Sequence, residues 1–468
     1  MFKNIIKNFN YELRITDYGL RATLIVTIIL ALSLILVISK PLLLFLILAA
    51  TSTLLLFRAP YYGLILTITF TIFGELARVP LGPENGFLIN DIFLPFLIII
   101  WGLRQIIYKK ELPKPKLLFP FILFTLWAFI SFFNGSKNLN DNSEIIVSFS
   151  YLIRFISYFF LYYLTLQFPS KQKKLLTIIL ISGLLLAILG YLQFIFFPDF
   201  SEMSAKFGWD PHQYRLLSTW FDPNFIGGFF AFILSIIGGL YLYEKEKSKK
   251  LFYIIIAGIL LGALFLTYSR SAYLAFAVSF FILGLIKSRQ LIIIGTLALV
   301  IFTSFSSRAQ ERIFDFYNSA KALLSSGTEI LDPTAQMRLE SWQNSQKIIQ
   351  KYPILGTGFN TLKYVQHEEG IIPSTTVHHA SGADSSLLTI FMTTGIIGII
   401  FYLIIYLKII ITNYKTWRSP KTTNFKKGLS LGFLCAISGL LIHSFFVNSL
   451  LFSPILVYFW TITAISEE

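Results

Sequence analysis

The chain alternates between long apolar runs almost free of charge and short polar connections rich in Lys and Arg. A helix needs about 20 apolar residues to cross the roughly 30 Å hydrocarbon core of a bilayer. Backbone groups in lipid must bond within their own segment, so these runs read as helices, and the strand-like alternation of a closed barrel is absent. The pattern predicts about 14 transmembrane helices (12–14), at residues 20–38, 41–57, 60–77, 87–107, 117–133, 146–168, 175–197, 223–243, 251–268, 271–286, 290–305, 386–411, 428–447 and 451–465. One stretch, 306–385, breaks the pattern with ordinary polarity. Two helices are expected there, over 307–324 and from Asp332-Pro333 to Lys351 or Tyr352. The second opens on an acid at the cap and Pro at the first helical position, and Pro353 stops it.

The expected fold is therefore an all-α polytopic membrane protein with one large helical loop. Residues 1–305 would hold transmembrane helices 1–11, 306–385 an extracytoplasmic (periplasmic) helical loop, and 386–468 helices 12–14 with a cytoplasmic C-terminus. Loop charge orients this arrangement, because short cytoplasmic loops carry an excess of Lys and Arg. With Lys3, Lys7, Arg14 and Arg21 inside, the even-numbered connections also fall inside, and they carry the basic runs at Lys109–Lys116, Lys171–Lys174, Lys245–Lys250 and Lys415–Lys427. The expected location is the inner (cytoplasmic) membrane, multi-pass, with both termini cytoplasmic. The first apolar run is followed at once by another with no small-residue cleavage site, so a cleavable leader is not expected.

Composition agrees with lipid-facing surface. Hydrophobic residues make up 55% of the 468 and charged residues only 13%, about half the share in a soluble domain. The formal charge of +15 is spread between apolar segments and forms neither a basic patch nor an RNA-binding motif, which argues against nucleic acid as a partner. A single cysteine, Cys435, excludes an intramolecular disulfide and a cysteine-rich metal site. No Walker loop or dinucleotide fingerprint is present, so nucleotide-driven chemistry is unsupported.

Ionisable residues at membrane depth are costly and either pair or serve function. Asp91 lies inside the end of the fourth expected span, Arg154 about two turns into the sixth, and Glu75 and Arg78 at the end of the third; pairing that locates helices is the alternative to a direct role. Arg215 precedes the eighth span, Arg270 sits in the turn between the ninth and tenth, and Arg338 lies four residues before Trp342 on one face of a loop helix. All three arginines belong to the same side of the membrane. Guanidinium groups make bidentate bonds to phosphate oxygens and stay charged, so three that converge would suit a lipid pyrophosphate and its departure. The alternative is that each reaches for nearby headgroups. His212, His367, His378 and His379 fall in outer connections, and His443 in the thirteenth span. His378 and His379, just upstream of Asp384, offer an imidazole for a sugar hydroxyl proton, as does the Asp384 carboxylate; a structural role for the pair is the alternative. No third ligand stands at a firm metal spacing, so no metal is expected.

Four pieces in order carry a family resemblance: Arg215 with Phe221-Asp-Pro-Asn224 and Gly227-Gly228; Ser269-Arg270-Ser271; Arg338-x-x-x-Trp342 with Pro353-Ile-Leu-Gly356-Thr-Gly358; and Asp384-Ser-Ser-Leu387 leading to Thr394-Gly395-Ile-Ile-Gly398. Together the chain resembles the O-antigen ligase and O-antigen or exopolysaccharide polymerase superfamily over about residues 210–400. The resemblance implies a helical fold related to the lipid-sugar-dependent glycosyltransferases of the C type. It implies glycan transfer from an undecaprenyl-pyrophosphate carrier outside the cytoplasm, without a cofactor, alongside membrane lipid and with a flippase and a chain-length regulator as candidate partners. Arg215, Arg270, Arg338, Asp384, His378 and His379 are the expected catalytic set, and Arg154, Asn224, Trp342 and Asp91 the expected substrate contacts. Ligases of the family place a His directly before an Asn where this chain has Ala383-Asp384. That departure favours polymerisation of lipid-linked repeats over ligation to a lipid A core. A lipid or glycan transporter and a non-catalytic scaffold remain readings of another class.

Overall fold

The computed structural model describes residues 53 and 55–467, apart from 81–85, 110–111, 140, 204–210, 306, 309, 312–313, 315–316, 319–332 and 376–381. The elements are almost all helical. In chain order they are α1 (Tyr61–Phe73), α2 (Ile89–Tyr108), α3 (Leu118–Gly135), α4 (Asn142–Leu166), α5 (Gln172–Phe196), α6 (Pro223–Tyr243), α7 (Lys247–Leu266), α8 (Arg270–Ile286) and α9 (Arg289–Phe305). Then come α10 (Pro333–Lys351), α11 (Leu362–Glu368), α12 (Ser386–Arg418), α13 (Asn424–His443) and α14 (Ser453–Ser466). A short antiparallel hairpin, β1 (Arg78–Pro80) with β2 (Gly86–Leu88), joins α1 to α2 and pairs Arg78 with Leu88.

The expectation of about 14 spans is corrected. Among the described residues eight helices are long and apolar enough to cross a membrane: α2, α3, α4, α5 with its leading turn, α6, α7, α12 and α13. The expected span at 20–38 lies outside the described residues, and so does most of 41–57. Three other expected spans form shorter apolar helices, at Tyr61–Ala77, Arg270–Ile286 and Ser453–Ser466, and α9 has 17 residues. At about 1.5 Å per residue they fall short of a crossing. The reason is clearest in α14. All 14 of its residues are buried, so its apolar sequence answers to protein packing on every face rather than to lipid. The expected loop helix over 307–324 lies largely outside the described residues, whereas its successor forms from Pro333 to Lys351 as α10.

The core is built around α6, whose apolar window is 83% buried. α13 and α8 pack against it. Small residues allow the close approach: a Cβ on Gly239 of α6 would stand 2.4 Å from the Gly432 nitrogen of α13, and one on Gly439 would stand 2.1 Å from Ser279 Oγ of α8. α14 lies against α4.

Two of the motif pieces interlock. α12 is broken at Gly395, where φ is 67° and ψ −171°. The loop after α10 fills the break: Ile396 N donates to Pro353 O (2.9 Å), Thr357 N to Met392 O (2.8 Å) and Gly358 N to Thr393 O (3.1 Å). From α3, Trp127 Nε1 donates to Thr394 O (2.8 Å) and Ser131 Oγ donates to Leu355 O and Thr393 O (2.7 Å each). A helix break at membrane depth is tolerated when the freed groups bond within the protein. Pro353-Ile-Leu-Gly356-Thr-Gly358 and Thr394-Gly395 thus form a clamp that fixes the C-terminal end of α10.

Candidate functional site

Several helix termini meet at one end of the bundle. α6 starts there on Asp222, whose carboxylate accepts from Asn224 N (2.7 Å) and Phe225 N (3.0 Å), with Pro223 at the first helical position. α8 starts on Ser269, which caps Ala272 N (3.4 Å). α12 starts on Ser385, which caps Leu388 N (3.4 Å). Helix N-termini carry partial positive charge and C-termini partial negative charge; α7 and α13 end here as well, so an anion at this end depends on the side chains.

Arg215 sits among these caps. Its Nε donates to Thr267 O (2.8 Å), and its Nη2 lies 3.4 Å from Tyr268 O and 3.5 Å from Asn224 Oδ1. Asn224 Oδ1 also accepts from Ser269 Oγ (2.8 Å). Gln193 braces the approach to α6: its Oε1 accepts from Leu217 N (2.7 Å) and its Nε2 reaches Arg215 O (3.3 Å). The structure therefore joins Arg215, Asn224 and the Ser269-Arg270-Ser271 turn, three pieces far apart in sequence. Arg270 is the first residue of α8, partly exposed.

Arg338 and Trp342 reach the same end from α10. The Arg338 guanidinium lies 5.9 Å from the Phe446 ring centroid, and the Trp342 and Phe446 rings are 6.2 Å apart. Three residues before Phe446 stands His443, the last residue of α13 and fully buried. Arg338 acts on His443 electrostatically, and the Asn224 backbone lies beside the ring. Gly228 of α6 makes room for the imidazole, since a Cβ there would be 2.6 Å from its Cε1. His443 thus links the Arg338 side of the cluster to the Asn224 side. Among the described residues Trp342 Nε1 has no hydrogen-bond partner. Sequence reasoning passed over His443 because a lone His in an apolar run looks like core. The available signals were Gly228, the last residue of the motif piece that begins at Arg215, and the aromatic residue three positions after the His.

Asp384 lies in the loop immediately before the α12 cap and is partly exposed. Two residues on, Ser386 N donates to Ser444 O (2.9 Å) and Ser386 Oγ to Val447 O (3.3 Å), so the Asp384 loop is stitched to the segment following His443. Arg154 and Asp91 are at this end but are engaged with each other (Nε to Oδ1, 2.9 Å). Tyr158 Oη donates to Asp91 Oδ1 (2.8 Å), Leu88 N donates to Asp91 Oδ2 (3.0 Å), and Arg154 also bonds Ser453. This arrangement joins α2, α4 and α14. His378 and His379 lie outside the described residues.

α10 is held in place from both ends of its loop. Ile348 of α10, Leu362 of α11, Ala383 and Met392 form a small buried cluster. Lys351 pairs with Glu369, which also accepts from Tyr352 Oη (2.9 Å). Those partners hold the Glu369 carboxyl below its usual range, the Lys351 hydrogen bond being the larger cause.

Residues 255–403 match the Wzy_C family model, described as O-Antigen ligase. No curated protein matches the chain. The match runs from α7 into the second half of α12 and takes in Arg270, Arg338, Trp342, Asp384 and both halves of the clamp. The chain therefore carries a domain of the O-antigen ligase and polymerase family that its motifs resemble. Eight helices among the described residues are long and apolar enough to cross a membrane, which makes it a polytopic membrane protein.

Proposed function

We propose that the protein polymerises undecaprenyl-pyrophosphate-linked oligosaccharide repeats on the extracytoplasmic face of the inner membrane. A growing glycan would pass from its lipid pyrophosphate to the non-reducing end of the next lipid-linked repeat. Arg215, Arg270 and Arg338 neutralise the pyrophosphates, and the departing one above all, since donors aimed at developing charge contribute most to such transfers. Asn224 and Trp342 contact substrate. Asp384 orients the acceptor, or takes its proton, as do His378 and His379 in the alternative assignment. The observation that carries this reading is the meeting of Arg215, Asn224 and Ser269 with the Arg338–His443 side at one end of the bundle.

A second reading, ligation of the glycan to a lipid A core, is favoured by the description of the matched family as O-Antigen ligase. The Ala383-Asp384 pair, where ligases place His-Asn, weighs against it. One experiment separates them: protein purified into lipid nanodiscs receives the native lipid-linked repeat, with and without a lipid A core acceptor. A ladder without the core supports polymerisation. One product formed only with the core means ligation. No product from folded protein and intact substrate sends the function to transport or scaffolding.

A further inference from the structure

We infer that the end of the bundle opposite the arginine cluster carries a docking surface for an acidic phospholipid with two phosphates, of the cardiolipin kind. The inference needs only the membrane fold and stands apart from the glycan-transfer reading. α6, α8 and α12 all begin beside the cluster. α6 alone has 21 residues, about 30 Å of helix, so its far end lies a membrane thickness away. Aromatic side chains form a shelf there. Trp417 Nε1 of α12 donates to Tyr243 Oη at the end of α6 (2.8 Å), and the Tyr414 and Trp417 rings meet edge-on at 5.8 Å. A cation stands at each side of the shelf. The Lys287 ammonium, just past α8, lies 4.9 Å from the Tyr243 ring centroid, and the Arg418 guanidinium 5.5 Å from that of Trp417. Leu283 of α8 with Leu431 and Cys435 of α13 form a small buried cluster, against which Tyr243 and Trp417 pack.

Bases near a helix C-terminus are favoured in any case, because that end is partly negative and its last carbonyls accept hydrogen bonds. Lys426 serves in that way at this end, where its Nζ donates to Ile465 O and Glu467 O (2.6 Å each). Lys287 and Arg418 do not. Both are exposed and, among the described residues, bond neither a carbonyl nor a carboxylate. The nearby acids are engaged on their own connection: Glu246 pairs with Lys249 (2.8 Å), and Glu244 accepts from Lys245 N (2.8 Å) and Glu246 N (3.0 Å). Arg289, Lys415 and Lys421 add positive charge from the same connections as Lys287 and Arg418. Basic pockets between membrane helices suit two-phosphate headgroups, and Tyr and Trp sit at headgroup level. A cation lying over a ring keeps its N–H donors for phosphate oxygens. Two such cations flanking one shelf match two phosphates better than one. Deeper in the bilayer, Phe281 and Leu285 on α8 and Leu407 and Ile411 on α12 are exposed and give the acyl chains apolar walls.

The test is native mass spectrometry of the full chain, released from detergent after titration with cardiolipin, phosphatidylglycerol or phosphatidylcholine. One tightly held cardiolipin per protein is expected, preferred over each of the other lipids by about tenfold. Lys287→Gln/Arg418→Gln should weaken it by about 10–30-fold, as the loss of two basic contacts at a lipid surface would. The control is Lys171→Gln/Lys174→Gln, which removes two exposed bases from the α4–α5 connection at the same end; it should leave the affinity within about threefold. Equal losses in the two double variants would reduce the binding to general attraction and overturn the site. Displacement of the cardiolipin by millimolar inorganic pyrophosphate would make the surface a site for free anions and overturn the lipid assignment. The wild type decides the matter even where a variant fails to fold: cardiolipin held no more tightly than phosphatidylcholine or phosphatidylglycerol overturns the inference. None of these results bears on transfer activity, so the glycan-transfer reading and this one fail separately.

Discussion

Replacing Gly395 by Ala tests whether the clamp positions the site. Gly395 has φ 67° and ψ −171°, a region open essentially to Gly alone, and forcing another residue there costs about 1–3 kcal/mol. The added Cβ would lie 2.0 Å from Ile354 O and 2.2 Å from its carbonyl carbon. Those are backbone atoms, so the loop must move, and overpacking of this kind costs about 1–3 kcal/mol more. The loss of the Ile396 N to Pro353 O bond (2.9 Å) adds about 1 kcal/mol. The total, roughly 3–7 kcal/mol, is a large part of the 5–15 kcal/mol that holds a typical domain together. None of the affected groups belongs to the α6–α8–α13 core, so the clamp should open before the bundle unfolds. In nanodiscs, hydrogen exchange at 353–358 and 393–396 is expected to speed up by about 10²-fold or more. Transfer activity should fall at least tenfold, because α10 no longer holds Arg338 in register. Gly258→Ala in α7 is the control: its Cβ would meet nothing within 4 Å, and a helical Gly→Ala change is favourable by about 0.5–1 kcal/mol. Unchanged exchange and activity in Gly395→Ala would refute the clamp as the positioning device.

Arg215→Lys keeps the charge but loses the fork that spans Thr267 O and Tyr268 O; turnover should fall by about 10²–10³-fold at normal membrane abundance, and near-normal turnover would remove Arg215 from the leaving-group role. Asp91→Asn leaves the largely buried Arg154 without its counter-ion, at about 3–5 kcal/mol, and thermal unfolding should show the loss; the double variant Asp91→Asn/Arg154→Met should recover most of it, and a double variant no better than the single would show that charge is not the cause. Lys351 and Tyr352 hold Glu369 below its ordinary value of 4.5, so its contribution to docking α10 is complete above that value and is lost as pH falls through the depressed one. Hydrogen exchange in 352–371 should therefore quicken in acid and Glu369→Gln should flatten that dependence, whereas acid sensitivity kept by Glu369→Gln would place its source elsewhere.

Local signals in the chain were read correctly where the physics is local. The start of α10 at Pro333 and its stop before Pro353 follow from the fixed φ of proline and its missing N–H. The turn at Ser269-Arg270 follows from a Ser cap between two apolar runs. The number of spans was misread because hydropathy reports removal from water and cannot tell lipid from protein. α14 and the buried majority of α6 look like any other membrane helix along the chain. Pairings over long separations were also hidden: nothing at position 91 names Arg154, and nothing at Gly395 names the Pro353 loop that fills its break.

The same limit explains the arrangement of the site. The Arg338–Trp342 helix has few deep contacts of its own, and a polar helix of this kind would wander if tethered by its loop alone. The clamp supplies what is missing by placing three backbone bonds and two side chains of α3 around one break in α12. Because α12 also begins at the Asp384 loop, and that loop bonds the segment after His443, a single helix couples the placement of Arg338 to that of Asp384 and His443. The glycines at 356, 358 and 395 then matter to transfer although none of them would touch substrate. Their replacement should lower turnover in proportion to the freedom α10 gains, while the lipid-facing surfaces of α2 and α7 can change without effect.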